Sequence, residues 1–174
     1  MVGVDRVRVD ASSPRPRLNV TTRPTLASDE PFIRELFIGL RAPEFHAAGL
    51  PPQILDALLG QQFQAQRSHY AIAYPEREDL IVLSGDKVIG NLVIADLPDE
   101  LRLVDITLAP SYRGRGIGTS IVADLQVQAS GDGKPVVLHV EMHNPARHLY
   151  QRLGFVDEEL VGIYWRMRYS TMAP

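Results

Sequence analysis

The chain contains no cysteine. That absence excludes disulfides, thiolate metal sites and any mechanism that holds a transferred group on a cysteine sulfur. It also lacks an apolar run long enough to span a bilayer, and its N-terminus lacks the continuous apolar core of a secretion signal. No membrane partner is expected, and the expected compartment is the cytoplasm. Charge of neither sign is in excess: 18 Lys and Arg against 21 Asp and Glu give a formal net charge of −3 and a pI near 5.9. Such a balance gives no reason to expect a nucleic-acid partner, and any anion site must be local. His46, His69, His139, His143 and His148 never take His-Glu-x-x-His spacing. His139 and His143 flank a glutamate in one strand-like run, but no further ligands accompany them, so no metal is expected.

Core-forming material is present in ordinary measure. With 174 residues, 45% of them hydrophobic, the chain is long enough for one well-buried domain and short for two. Residues 1–18 carry Arg6, Arg8, Arg15 and Arg17 with two prolines, two serines and no sustained apolar period. They are expected to be a flexible tail ahead of a single domain at 19–174.

Hydrophobic periodicity then sets out the elements. A short strand is expected at 20–23. Ser28 with Asp29, Glu30 and Pro31 starts a first helix, in which Phe32, Ile33, Leu36, Phe37 and Leu40 recur at helical spacing up to Arg41. Pro51-Pro52 opens a second helix, marked by Ile54, Leu55, Leu58, Leu59 and Phe63 and expected to end near Arg67. Runs 80–83 and 87–95 flank Ser84-Gly85-Asp86 and read as a hairpin. Leu101–Leu108 is the next strand, and Ile117, Ile121, Val122 and Leu125 mark one face of a third helix that stops at Gly131-Asp132-Gly133-Lys134-Pro135. A buried strand at 136–142 follows, then a short helix and a closing antiparallel pair, 155–156 and 162–169. This order predicts an α/β (α+β) chain, with a mixed sheet covered by helices on both faces.

The richest stretch lies between the strand Leu101–Leu108 and the helix after it: Arg113-Gly114-Arg115-Gly116-Ile117-Gly118. A strand that ends in a Gly/Arg loop and feeds directly into a helix presents free backbone N–H groups at the positive end of the helix dipole. Glycines let a ligand approach that backbone, and two arginines add charge, so the pattern points to a phosphate-bearing cofactor. The lysine and hydroxyl of a P-loop are missing, and the glycine spacing is not that of a dinucleotide fingerprint. About thirty residues on comes Asn144-Pro145-Ala146-Arg147-His148-Leu149-Tyr150-Gln151-Arg152-Leu153-Gly154-Phe155. Asn144 suits an N-cap, Pro145 a first helical position and Gly154 a helix stop, which predicts a helix at 145–153.

Together the two motifs, in this order and spacing, resemble the signature of the GNAT superfamily of N-acetyltransferases. The resemblance covers residues 20–169 and is closest over 101–155. It implies the acyl-CoA N-acyltransferase fold, whose mostly antiparallel sheet contains a parallel strand pair. Here the strands ending at Leu108 and Met142 would splay to admit the pantetheine arm of acetyl-CoA. It also implies that Arg113, Gly114, Arg115, Gly116, Ile117 and Gly118 seat the pyrophosphate, that Ile106, Thr107 and Leu108 hold the pantetheine and orient the thioester, and that Asn144 helps to hold the same arm. By the same resemblance Tyr150 contacts the cofactor and protonates the leaving thiolate. A phenol with an ordinary pKa of about 10 suits that task, because it keeps its proton until a thiolate appears beside it.

The base is open among three residues and ordered water, which some members of the superfamily use alone. Alternation along 136–143 places Val137, His139, Glu141 and His143 on one face, and His139 occupies a position where some members with protein acceptors carry a glutamate base. Imidazole titrates near neutrality. Glu141 is its neighbour, and Asp105 on the adjacent strand is the third candidate. The resemblance places acceptor contacts at Arg41 and Glu44; Tyr164 or Trp165 on the last strands are further cleft candidates, although alternation reads that pair mostly as core. The expected reaction is direct attack of an amine on acetyl-CoA in a ternary complex. Its acceptor would be either a small-molecule amine or a protein N-terminus or lysine. A binding module that holds acyl-CoA without transfer is the alternative. Members of the superfamily often form homodimers, and nothing in this sequence requires one.

Overall fold

A computed structural model of the chain describes residues 20–170. The tail expected at 1–18 lies outside the described residues. The elements are β1 (Val20–Pro24), α1 (Glu30–Arg41), α2 (Pro52–Ala73), β2 (Glu78–Ser84), β3 (Lys87–Asp96), β4 (Leu101–Leu108), α3 (Ile117–Gly131), β5 (Val136–Glu141), α4 (Ala146–Arg152), β6 (Val156–Val161) and β7 (Tyr164–Tyr169). Among the described residues all seven strands join one sheet, in the order β1-β2-β3-β4-β5-β7-β6.

Local chemistry explains the entry to α1. Arg23 at the end of β1 donates to both carboxylate oxygens of Asp29, at 2.6 and 2.8 Å, and the backbone N–H of Leu26 donates to the same carboxylate at 2.8 Å. Asp29 is buried, and its hydrogen bonds from Arg23 pull its pKa down to about 2. Helix α2 runs six residues past its expected end, to Ala73. No breaker occurs until Pro75, which explains the extension. The apolar period fades earlier because Ile72 is exposed.

Two cores flank the sheet. On one face α3 and α4 cover Leu92, Ile94, Leu101, Leu103, Val136, Leu138 and Met167; on the other, α1 and α2 bring Ile33 and Phe63 against Ile81. These layers place β4 and β5 at the centre, and that pair is parallel. It pairs at only three positions, Leu101 with Val136, Arg102 with Val137 and Leu103 with Leu138, after which the strands separate. The expected splay is therefore present.

A bulge marks the point of separation. Against β3, Asp105 pairs with Val93 but Leu103 pairs with Ile94, so Val104 is an extra residue. The bulge reverses side-chain parity. Leu101 and Leu103 are buried on the α3/α4 side, and Ile106 and Leu108 pack against the same core. Asp105 and Thr107 consequently face the opposite side. Across the sheet Gly90 permits this approach: a Cβ there would stand 2.4 Å from the carbonyl oxygen of Thr107.

Candidate active site

Where β4 and β5 part, a cavity of about 590 Å³ opens between the sheet and the ends of α1, α2 and β7. Six of the residues singled out by sequence line it together: Asp105, His139, Glu141, Tyr150, Arg41 and Glu44. Ile106, Thr107 and Asn144 are also on its wall, as is Tyr164. The side chains of Leu108 and Trp165 lie elsewhere. Leu108 packs with the α3/α4 core and does not line the cavity; its carbonyl accepts a hydrogen bond from Arg113 Nε at 2.8 Å. Trp165 packs on that core as well, beneath the Arg147 guanidinium at 4.8 Å.

Tyr150 connects the two sides of the sheet. Its ring belongs to the α3/α4 core, 5.7 Å from the Phe155 ring, and it also lines the cavity. Burial, with the nearby Asp105 carboxyl adding to it, raises the phenol pKa to about 12. At neutral pH it therefore remains a proton donor. Asp105 accepts a hydrogen bond from Asn91 Nδ2 at 3.1 Å. Burial pushes its pKa up, against the opposing pull of Asn91, the Ile106 N–H and Arg41. Its carboxylate is thus a stronger base than an exposed one.

His139 is differently placed. Its Nδ1 lies 2.8 Å from an Arg102 guanidinium nitrogen. Arginine can only donate, so Nδ1 accepts and the ring proton resides on Nε2. Arg102 is itself held by Glu100, which also accepts from Arg166 at 3.1 Å. Desolvation, followed by Arg102 and Arg166, lowers the imidazole pKa. Its lone pair is already engaged. Glu141 lines the cavity half-buried, with no ion pair among the described residues. At the mouth, Arg41 sits 3.3 Å from Glu44 and close enough to the Tyr164 hydroxyl for the two to interact.

Asn144 stands one residue ahead of Pro145, the N-cap of α4, and its Oδ1 accepts from the first helical N–H, that of Ala146, at 2.9 Å. That bond leaves its side-chain N–H₂ available. On the other flank of the splay, the 113–118 loop does not reach the cavity but turns directly into α3, with Gly116 as N-cap at φ 82°. Only glycine adopts that left-handed conformation at little cost. A Cβ at Gly116 would meet nothing within 4 Å, so the space in front of the helix N-terminus is open. The first N–H groups of α3 have no acceptor within the helix. Arg115 lies over the Tyr112 ring at 5.3 Å, leaving this surface basic. The fit to a pyrophosphate is good.

The sequence model of the acetyltransferase (GNAT) family matches residues 46–155. The chain belongs to the GNAT acetyltransferase family. Among its relatives is the mycothiol acetyltransferase of Corynebacterium efficiens, 32% identical over 101 residues, which are 56% of this chain and 34% of that protein. A Haemophilus influenzae ribosomal protein bS18 alanine N-acetyltransferase is 28% identical over 88 residues, 50% of this chain and 60% of the relative. The chain thus spans from a third to about three-fifths of the length of these curated relatives. The crystal structure of a PaiA N-acetyltransferase from Thermoplasma acidophilum in complex with coenzyme A superposes with a TM-score of 0.65 at 14% identity, covering 87% of this chain and 98% of that one. An acetyltransferase from Thermus thermophilus gives 0.61 at 20% identity, covering 87% and 96%. At such identities the superpositions establish the GNAT fold.

Sequence reading missed Tyr70, Tyr74 and Asn91, all on the cavity wall. Two signals were available. Gln66, Tyr70 and Tyr74 are spaced four apart, continuing one face of α2 past its expected end. Asn91 is a lone polar residue inside an apolar strand, and a buried amide requires a partner, which proves to be Asp105.

Proposed function

We propose that this GNAT protein transfers an acetyl group from acetyl-CoA to a primary amine by direct attack in a ternary complex, with Tyr150 as acid and Asp105 as base. The observation that carries this reading is the meeting of these two side chains in the cavity that the β4/β5 splay opens. Residues Arg113 to Gly118 and the N-terminus of α3 would hold the pyrophosphate, and Ile106, Thr107 and Asn144 would flank the pantetheine arm. Bound acetyl-CoA supplies the thioester.

The chain's own groups then manage protons. An amine arrives as an ammonium ion and must lose a proton before nitrogen can attack. Asp105, desolvated and raised in pKa, accepts that proton; His139 is less suited because Arg102 occupies its lone pair. Tyr150 then protonates the departing sulfur. Two protons leave nitrogen in a complete transfer. One ends on the thiol by way of Tyr150, and the other passes through Asp105 to solvent. With no cysteine in the chain, no acyl-cysteine step competes.

The relatives are named for unlike acceptors, mycothiol and a ribosomal-protein alanine. Likeness to them supports acetyl transfer without favouring either acceptor. No helix among the described residues is long and apolar enough to cross a membrane. Dependence on acetyl-CoA makes the cytoplasm the compartment we propose. Calorimetric titration of acetyl-CoA, with adenosine diphosphate and a nicotinamide dinucleotide as controls, tests the donor assignment. Selective micromolar binding is expected. A folded sample, free of copurified CoA, that binds none would overturn it.

A further inference from the structure

The acceptor end of the cavity has a distinctive chemistry. Four phenols, Tyr70, Tyr74, Tyr150 and Tyr164, surround it, and Asp105 lies among them: its charge acts on Tyr70 and Tyr150, and Tyr164 and Tyr74 act on Tyr70 in turn. Among the described residues, no cation forms an ion pair with Asp105. The two arginines on the cavity wall are engaged, Arg41 with Glu44 and Arg102 with Glu100. Beside the Arg41–Glu44 pair the mouth also carries open apolar surface, with Leu40 45% exposed and Val161 50% exposed.

We propose that the acceptor is a hydrophobic primary monoamine, an alkyl- or arylalkylammonium ion with no acidic group, seated with its cationic head among Tyr70, Tyr74, Tyr164 and Asp105 and its carbon body against Leu40 and Val161. This inference rests on the acetyltransferase reading and narrows its substrate. Aromatic faces attract a desolvated cation, and a buried carboxylate that forms no ion pair, with Arg41 acting on it only from the mouth, does so more strongly. A carboxylate on the substrate would meet Asp105, Glu44 and Glu141, and would have to displace Glu44 to reach Arg41. A second ammonium, as in a polyamine, would lie at the mouth beside the Arg41 guanidinium.

The test is a four-amine comparison with acetyl-CoA held at saturation: phenethylamine, phenylalanine, spermidine and a short peptide with a free N-terminal alanine. Thiol release should give phenethylamine the highest kcat/KM, by about 10-fold or more over each of the others. Preference for any of the other three would overturn the proposal while leaving acetyl transfer standing. Calorimetry of phenethylamine against its uncharged counterpart 2-phenylethanol, with CoA present, reads recognition without turnover. Amine binding in preference to the alcohol, even with no thiol released, would uphold the site and refute the catalytic reading; equal affinity, or no binding of either, would overturn the site. Tyr70→Leu should raise KM for phenethylamine by about 10-fold and leave acetyl-CoA affinity unchanged, and Tyr70→Phe, which keeps the ring, should restore most of the loss. An unchanged KM in Tyr70→Leu would remove Tyr70 from recognition.

Discussion

Replacing Asp105 by asparagine separates catalysis from stability, because the two should move in opposite directions. The substitution is nearly isosteric, and the new amide oxygen can still accept from Asn91, which stands 3.1 Å from the present carboxylate. It removes the carboxylate that the proposed mechanism uses as base. General-base catalysis contributes about 10²–10⁴-fold, so kcat/KM should fall by that range, corresponding to about 3–5 kcal/mol on the barrier. Stability should rise. Burial raises the folded-state pKa of Asp105 above its unfolded value, so between the two values the folded protein binds more protons than the unfolded chain. Stability is therefore fully present below the unfolded pKa and is lost as pH rises through the folded one. At pH 7, above the unfolded value, keeping this carboxyl buried costs stability, a cost that asparagine lacks.

Thermal melts of the two proteins at pH 7 and near pH 4, alongside acetyl transfer at pH 7, read both effects. Asp105→Asn should melt higher at pH 7, with the advantage shrinking toward pH 4, and should be nearly inactive. A variant that is both more stable and fully active would remove Asp105 from the mechanism while confirming its burial. A variant less stable at pH 7 would refute the electrostatic argument itself. Asn91→Ala adds a graded check: without that donor the Asp105 pKa rises further, and the ascending limb of kcat/KM should move to higher pH. An unmoved limb would assign it to another group, the amine included.

Other outcomes follow from the same structure. Tyr150→Phe should leave acetyl-CoA affinity nearly unchanged by calorimetry and lower turnover by about 10-fold or more, since only the proton donor is lost. Gly116→Glu should abolish acetyl-CoA binding, while Gly116→Ala, which carries the same left-handed strain of about 1–2 kcal/mol without the bulk or charge, should melt lower but still bind. Leu59→Ala, at a fully buried position on α2, should cost about 2–5 kcal/mol in urea unfolding. Asp29, whose folded pKa is depressed to about 2, contributes stability above its unfolded pKa that is lost as pH falls through about 4 to 2. Asp29→Asn should therefore be less stable by about 2 kcal/mol at pH 7 and should lose less than the parent on acidification; equal losses in the two proteins would refute the Arg23–Asp29 account.

Much of this fold was legible because its elements obey simple periods. Leu101–Leu108 was bounded correctly, the 113–118 loop fell where glycine requires, and α4 starts one residue later than expected, at Ala146, with Asn144 bonding its first N–H. What remained hidden depends on parity and packing. Asp105 faces the cavity because Val104 bulges, and only the displacement of apolar residues from 101 and 103 to 106 and 108 hints at this in the sequence. The end of α2 was lost because exposed Ile72 interrupts the pattern, and Tyr70 and Tyr74 were lost with it. Choosing among His139, Glu141 and Asp105 needed the third dimension: nothing in sequence shows that Arg102, thirty-seven residues away, holds the His139 lone pair.

The most direct test of the central claim is thiol release from acetyl-CoA by the purified protein, with and without phenethylamine, alongside mass detection of the acetylated amine. No protein thiol contributes background, because the chain has no cysteine. The account requires release that depends on the amine, with one acetylated amine formed for each thiol and both signals largely lost in Asp105→Asn. A folded protein that binds acetyl-CoA with micromolar affinity but releases no thiol with any of the four amines would contradict it and identify the chain as a silent acyl-CoA binder.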